Sequence, residues 1–491
     1  MKILSIKDSI IAIEKQKDLF INQIIIFDKK IKGVILKSTG KNAFVVVDDA
    51  SNITLNSKVE VSDKVWAVKA KNSLLGKIID VYENTIYDEF NYQDNDTKYK
   101  VRDIDTKAPM FVERVKLDKP LETGMFPIDS LIPIGRGQRE LIIGDRKTGK
   151  TSIALSTIIN QKNKKVKVIY VAIGQKYIDI NSTYKILNEN GALEYTTIIT
   201  ASPDKKLSQY LAPYVGMTYA ESFAENDEDV LIVFDDLSKH ANILRELSLN
   251  MNKSGGREAY PSDLFYSHSK LLERSGRFVS SLGGGSITAL PIIETIDGDF
   301  ATLLATNIIS ITDGQIITDI ERAKEGLFPA INIGLSVSRT GSSVQNKLMK
   351  DVSKSILKIY TKYLEAIKYE VISLEVSDEV KQIINNGKAL MTAFEQFGYK
   401  GKTPVEMYLM AKLLEWDIVT SIFSNNKNNI TIDELIQFAV NDKTGKIILE
   451  NFALDENASY EILKGYFRSL CGIENKYQAK RAARELRGDY E

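Results

Sequence analysis

The stretch Gly144-Asp145-Arg146-Lys147-Thr148-Gly149-Lys150-Thr151 limits what this chain can fold into more than any other. It follows the apolar run Leu141-Ile142-Ile143 and precedes Ser152-Ile153-Ala154-Leu155, an order that predicts strand, glycine loop and helix. The spacing is that of a phosphate-binding loop, with glycine at the first and sixth places and lysine and a hydroxyl residue at the end. The glycines let backbone N–H groups turn toward phosphate, and Lys150 brings a point charge to the β and γ oxygens. Thr151 offers Mg²⁺ a hydroxyl. The plain alternative is a flexible Gly-Lys surface loop, and the strand and helix on either side weigh against it. Binding a nucleotide does not by itself imply turning it over.

With 491 residues, 43% hydrophobic and 26% charged, the chain has the composition of a globular protein of two to four domains. Lysine plus arginine balance aspartate plus glutamate at 65 each, so no global charge draws it to nucleic acid or an anionic membrane. The single cysteine, Cys471, excludes an internal disulfide framework and suits a reducing compartment. No apolar stretch approaches the ~20 residues of a membrane span, and MKILSIKDSI is read as lacking a secretory h-region.

Residues 1–65 are short β-rich runs: Ile3 to Ile13, Gln23 to Phe27, Gly33 to Lys37, Ala43 to Val47 and Val59 to Val61, separated by turn signals. They predict a small barrel with a structural or ring-forming role, since no aromatic or basic stripe marks an oligonucleotide binder. From Trp66 to Leu121 the pattern is irregular, and the polar stretch Glu83 to Asp96 reads as a surface loop. Val166 to Ile173 and Val230 to Phe234 are apolar runs between helical segments, the signature of a parallel sheet covered on both faces. Residues 66–346 therefore read as an α/β domain. Beyond it, Leu348, Val352, Ile356, Ile359, Tyr363 and Ile367 line one face of a long helix, followed by helical stretches at Pro404 to Leu414 and Ile432 to Val440. Residues 347–491 read as a helical domain. Its basic tail, Lys480 to Arg484, is taken as a solvated helix end.

Leu231-Ile232-Val233-Phe234-Asp235-Asp236 is a hydrophobic strand ending in carboxylates. Asp235, first past the apolar run, is placed to reach Mg²⁺ directly or through water; the competing role is a helix cap. Gln175 follows the strand Val168 to Ile173, where hydrolysis wants a carboxylate to orient and polarise water. An amide holds a water but cannot take its proton. With Gln175 in that place, the site binds nucleotide and turns it over poorly.

The segments PIDSLIPIGRGQRELIIGDRKTGKTSIAL, IYVAIGQK, FDDLSKHA, GREAYPSDLFYSHSKLLER, GGGSITALPIIET, TNIISITDGQI and PAINIGLSVSRTGSS resemble, in order and spacing, the α (non-catalytic) subunit of F-type ATP synthases. AIGQK and SVSRTGS discriminate, because the catalytic β subunit carries glutamate where Gln175 stands. The resemblance implies a multidomain chain: an N-terminal β-barrel, a central RecA-like P-loop domain and a C-terminal α-helical domain. It implies an α₃β₃ ring around a γ-like central stalk, with ATP or ADP and Mg²⁺ on Gly144 to Thr151, Gln175 and Asp235. It also implies a peripheral complex on the cytoplasmic side of the cell membrane, on a membrane rotor or other motor machinery, with no nucleic acid. Arg339, in SVSRTG, resembles the arginine finger lent to the β active site, the bland alternative being a surface ion pair.

The chain departs from the family in several places. Tyr177 stands where AIGQK is followed by arginine, and Ala323 and Phe328 stand where the family has an aromatic residue and an arginine. Gln396 and Gly398 stand for two base-contacting glutamines. The phosphate grip is thus retained and the base pocket remodelled, with Phe328 and Gln396 as the residues left to meet the base. The family's extra N-terminal segment, which docks the peripheral stalk, has no counterpart before ILSIKDSI, so such a stalk is expected to attach differently. This is similar to divergent F-type-like complexes of bacteria with reduced genomes, in which hydrolysis drives work such as motility. Three readings stay open: a subunit of a synthase or of such a hydrolysis-driven motor, a self-sufficient RecA-like hexameric NTPase or helicase using Glu258 or Asp236 as its carboxylate, and a scaffold with a silent site.

Overall fold

A computed structural model describes residues 1–15, 19–87, 98–253, 255–372, 377–416, 432–442, 445 and 463–468. The chain forms two compact units: Met1–Thr123 with Ile132–Val344, and Gly124–Leu131 with Gln345–Glu491.

The first unit opens with a six-stranded antiparallel sheet in the order Ile3–Lys7, Ile10–Glu14, Asn42–Val47, Ile31–Ser38, Gln23–Phe27, Val59–Val65. The apolar run from Ile3 to Ile13 is two strands, because Asp8 adopts φ 54° and turns the chain into a hairpin. Side chains alternate between two faces along each strand. Ile11, Ile13, Ile25, Phe27, Ile35, Val45 and Val47 close a core within the sheet. Ile10, Val34 and Val46 point the other way and join the core of the α/β part. Trp66, Val68 and Ile79, from the irregular stretch, are buried in that same core.

The α/β part is a ten-stranded mixed sheet. Its parallel centre runs Gly314–Ile317, Leu141–Gly144, Ser286–Glu294, Asp229–Asp235, Val166–Ile173, Thr196–Ala201 and Ile78–Ile79. Antiparallel strands are added by Val337–Ser338 on Gly314–Ile317, by Thr85–Tyr87 on Ile78–Ile79 and by Gly276–Arg277 on Ser286–Glu294. The start of the polar stretch read as a loop is therefore an edge strand; residues 88–96 of it lie outside the described residues. Continuous apolar runs suit strands covered on both faces. Because the central strands are parallel, the residues following Leu141–Gly144, Val166–Ile173, Asp229–Asp235 and Ser286–Glu294 all emerge at one edge, where ligands of such sheets bind.

A buried ion pair braces the flank of the sheet. Arg274, 1% exposed, reaches Glu221 through Nε at 2.7 Å and a terminal nitrogen at 2.8 Å, and also the Ile104 carbonyl at 3.0 Å. With every nitrogen of the guanidinium donating a hydrogen bond, its burial is tolerable.

In the second unit the apolar stripe forms the helix Lys347–Ile372, with Val352 and Ile356 fully buried. Asp378–Ala393 starts on Ser377, whose hydroxyl accepts from Val380 N–H. Pro404–Glu415 starts on a Thr403–Glu406 capping box with proline in its first turn. Ile432–Asn441 follows. Cys471 and the basic tail lie outside the described residues. Among the described residues no helix is long and apolar enough to cross a membrane.

Candidate nucleotide-binding site

The loop after Leu141–Gly144 is held from beneath. A Cβ on Gly144 would lie 1.9 Å from Thr318 Oγ1, so glycine is required where the loop leaves the strand. Thr318 N–H donates to the Ile143 carbonyl at 2.8 Å, and its hydroxyl meets that of Thr148 at 2.6 Å. Lys147 takes φ 62° and Gly149 φ 88°, and the helix Lys150–Ile159 begins directly after. A helix start leaves N–H groups without intrahelical partners, and these together with the macrodipole favour an anion. Lys150 is buried, with Nζ on the Asp145 carbonyl at 2.5 Å. Burial lowers its pKa, while Glu294, Asp236, Asp235 and Asp145 act to restore the charge.

Asp145 uses its carboxylate on the protein. Oδ1 accepts the Thr295 hydroxyl at 2.6 Å and Gly298 N–H at 3.0 Å, tying residues 295–298 to the loop. Arg146 is exposed and pairs with Glu294 at 3.0 Å. Both line a cleft of about 1020 Å³ that also takes in Arg245, Glu258 and Asp299.

Across the loop, the Thr151 hydroxyl donates to Asp235 Oδ2 at 2.9 Å. The Tyr170 hydroxyl donates to the same oxygen at 2.6 Å. Gln175, 8% exposed, donates from Nε2 to the Asp235 main-chain carbonyl at 3.0 Å and stands 3.4 Å from the Tyr170 hydroxyl. Burial and the neighbouring Asp235 charge push the Tyr170 phenol well above its ordinary value. Asp236 caps the helix Leu237–Asn250, accepting from Lys239 N–H at 2.7 Å, so of the two neighbouring carboxylates it is Asp236 that takes the capping place. Burial pushes Asp236 up to about 7, with Lys239 acting against the rise and Asp235 and Glu294 adding to it.

Phe328 packs against the loop, its ring atoms 3.3 Å from the position of a Cβ on Gly149. Ala323 lies in the short helix Ile320–Lys324, and Tyr177 opens the helix Tyr177–Glu189 exposed to solvent. Gln396 belongs to the second unit, where Nε2 donates to the Lys400 carbonyl at 2.8 Å. Glu258 accepts Leu303 N–H at 3.0 Å. Arg339 is not part of this cluster. It follows Val337–Ser338, is exposed, and its N–H donates to the Asp313 carbonyl at 2.9 Å. Asp313 pairs with Arg139 at the entry of the sheet, five residues before Gly144, or about 16 Å along an extended strand.

The residues present fit a magnesium nucleotide. Thr151 and Asp235 converge, the helix start and Lys150 are set for phosphate, and Phe328 offers an apolar surface beside the loop. Among the described residues no group of three or more histidine, cysteine or acidic side chains would hold a metal unaided. A cation here would complete its shell with phosphate oxygens and water.

Three contributors were not singled out in the sequence: Tyr170, Thr318 and Glu294. Tyr170 sits in an apolar strand and reads as core. The available signal was that a fully buried tyrosine needs a partner for its hydroxyl.

Residues 124–338 match the ATP synthase alpha/beta family, nucleotide-binding domain, so fold, loop geometry and match together define a P-loop nucleotide-binding protein of that class. ATP synthase subunit alpha 2 of Mycoplasmopsis pulmonis (strain UAB CTIP) is 43% identical over 425 residues, 85% of this chain and 81% of that protein. Subunit alpha 1 of the same organism is 41% identical over 461 residues (93% and 84%), and ATP synthase subunit alpha of Sulfurovum sp. (strain NBC37-1) is 41% identical over 407 (82% and 80%). The chain belongs to the family of ATP synthase alpha subunits.

Proposed function

We propose that this chain is the non-catalytic, nucleotide-holding subunit of an α₃β₃ rotary ATPase ring, and that it lends Arg339 to the active site of a β-type neighbour. Lys150 and the start of the helix Lys150–Ile159 hold the phosphates, Thr151 and Asp235 hold Mg²⁺, and Phe328 meets the base; Gln396, expected from the sequence to meet it too, belongs to the other unit. The bound cation supplies charge neutralisation for the phosphates. The division into a barrel (1–65), a nucleotide domain (66–346) and a helical domain (347–491), the γ-like stalk and the cytoplasmic face of the membrane are part of the same reading.

The observation that carries it is Gln175. Its amide is committed to the Asp235 carbonyl at 3.0 Å, in the position where hydrolysis wants a base. Each alternative carboxylate already has a structural partner on one oxygen: Asp236 caps a helix and Glu258 accepts Leu303 N–H. The place of Arg339 supports the second half. Its main chain leaves the sheet beside Asp313, outside the cluster around the phosphate loop, and a guanidinium supplied across an interface stabilises charge on a transferring phosphoryl group.

Native mass spectrometry with an ATPase assay tests the reading, on the chain alone and after co-expression with a β-type partner. The expected result is an inactive lone chain and an active α₃β₃ assembly. Vigorous hydrolysis by a homohexamer of this chain would overturn it.

A further inference from the structure

Asp235 has two carboxylate oxygens, and the protein treats them differently. Oδ2 takes both the Thr151 hydroxyl at 2.9 Å and the Tyr170 hydroxyl at 2.6 Å, while Oδ1 accepts no hydrogen bond among the described residues. The Thr151 hydrogen is thereby turned to Asp235, which leaves the Thr151 lone pairs facing away from the carboxylate. Tyr170 is rigid, since it lies in the middle of the strand Val166–Ile173, fully buried, with Tyr170 paired to Val233 on the strand that carries Asp235. Gln175 Nε2, at 3.4 Å from the Tyr170 hydroxyl, discourages that hydroxyl from turning its hydrogen the other way.

We propose that Tyr170 is a positioning residue for the cation end of this site: its hydroxyl, fixed on Asp235 Oδ2, keeps that oxygen with Thr151 and leaves Oδ1 as the one presented to a divalent cation or its water. The residue touches neither nucleotide nor metal. It acts by restricting Asp235 to one rotamer and one proton arrangement before the cation arrives, as a hydrogen-bonded second partner does for other metal ligands. Tyr170 therefore sets how tightly the site demands the cation and leaves the grip on bare phosphate to Lys150 and the helix start. This rests on the nucleotide-holding reading above.

The test uses the full chain and its Tyr170→Phe variant, which removes one oxygen and keeps the ring. ATP retention is titrated with Mg²⁺ and repeated in EDTA, and the electron paramagnetic resonance spectrum of Mn²⁺ with ATP on the protein is recorded for both. Loss of a hydrogen bond to a charged group predicts a Mg²⁺ midpoint raised about tenfold. Retention in EDTA stays unchanged, and the Mn²⁺ spectrum changes. An unchanged midpoint and spectrum, or an equal loss with and without cation, would overturn the positioning role. Unmodified chain serves as the control for the underlying reading: Mg²⁺-dependent retention that Lys150→Ala abolishes supports it, and absence of any cation dependence in the unmodified chain removes both.

Discussion

Arg339 leaves the sheet beside Asp313, its N–H on the Asp313 carbonyl at 2.9 Å, at the end of the strands away from Lys150. The two cations of the proposed function thus stand at opposite ends of the sheet: Lys150 is buried under its own loop and Arg339 is exposed.

Replacing Arg339 with alanine is expected to leave the ring assembled and to reduce its hydrolysis by about 10³-fold or more, the usual worth of such a finger. Native mass spectrometry and steady-state ATPase measurements check both halves. Retention of more than about a tenth of the rate would deny Arg339 the role, given that magnitude.

Lys150→Ala acts on the other site. Removing a buried ammonium that donates at 2.5 Å within the loop is expected to weaken nucleotide retention by this chain about 10- to 100-fold, the range for hydrogen bonds to charged groups. Hydrolysis at β-type sites of the assembled ring should change far less. Filter-binding retention by the isolated chain, set against ATPase activity of the ring, separates the two effects.

Gln175→Glu would place a carboxylate oxygen where an amide N–H now meets the Asp235 carbonyl at 3.0 Å. Acceptor would face acceptor, and the Tyr170 hydrogen is already given to Asp235 Oδ2. The substitution is expected to destabilise the domain by about 1–3 kcal/mol and to produce no measurable phosphate release from the lone chain. Thermal unfolding and a phosphate-release assay check this; vigorous turnover would show that the carboxylate finds room and orientation at once.

Asp236 gives a pH dependence. Burial holds its carboxyl at about 7 in the folded chain, whereas an unfolded aspartate titrates near ~3.9. The folded state binds the extra proton between those values, so this residue's contribution to stability falls as pH rises from about 4 to about 7. Asparagine caps a helix as well and carries no charge. Compared with the unmodified chain, Asp236→Asn should gain in melting temperature across that window and hold a constant advantage above it, with a ceiling of roughly 4 kcal/mol. Melting of nucleotide-free protein at pH 5 and pH 8 checks it, and a gap independent of pH would contradict it.

Much of the site was legible because each piece has a local pattern. Glycines, Lys150 and Thr151 fall at fixed offsets, and the apolar strands end where Gln175 and Asp235 begin. The stripe from Leu348 to Ile367 gave the helix Lys347–Ile372 for the same reason. What the pattern hides is partnership across the sheet. Asp145 reads as part of the phosphate loop, yet its carboxylate is spent on Thr295 and Gly298, some 150 residues later in the chain. Tyr170 looks like any strand residue until Asp235 is placed beside it. Asp8 is an unremarkable polar residue in an apolar run, and only its φ of 54° reveals the hairpin. Thr85–Tyr87 became a strand because Ile78–Ile79 offered it an edge, which no local composition announces.

The most direct test of the central claim follows one nucleotide. Purified full-length chain is loaded with ATP labelled at the γ-phosphate and Mg²⁺, freed of excess, and its bound nucleotide is identified over time, alone and within the ring. The account predicts ATP recovered intact from the lone chain, and from the chain's own site in the ring, while β-type sites turn over. Release of labelled phosphate from the lone chain at a steady catalytic rate would contradict it, because Gln175 would then stand in a site that hydrolyses.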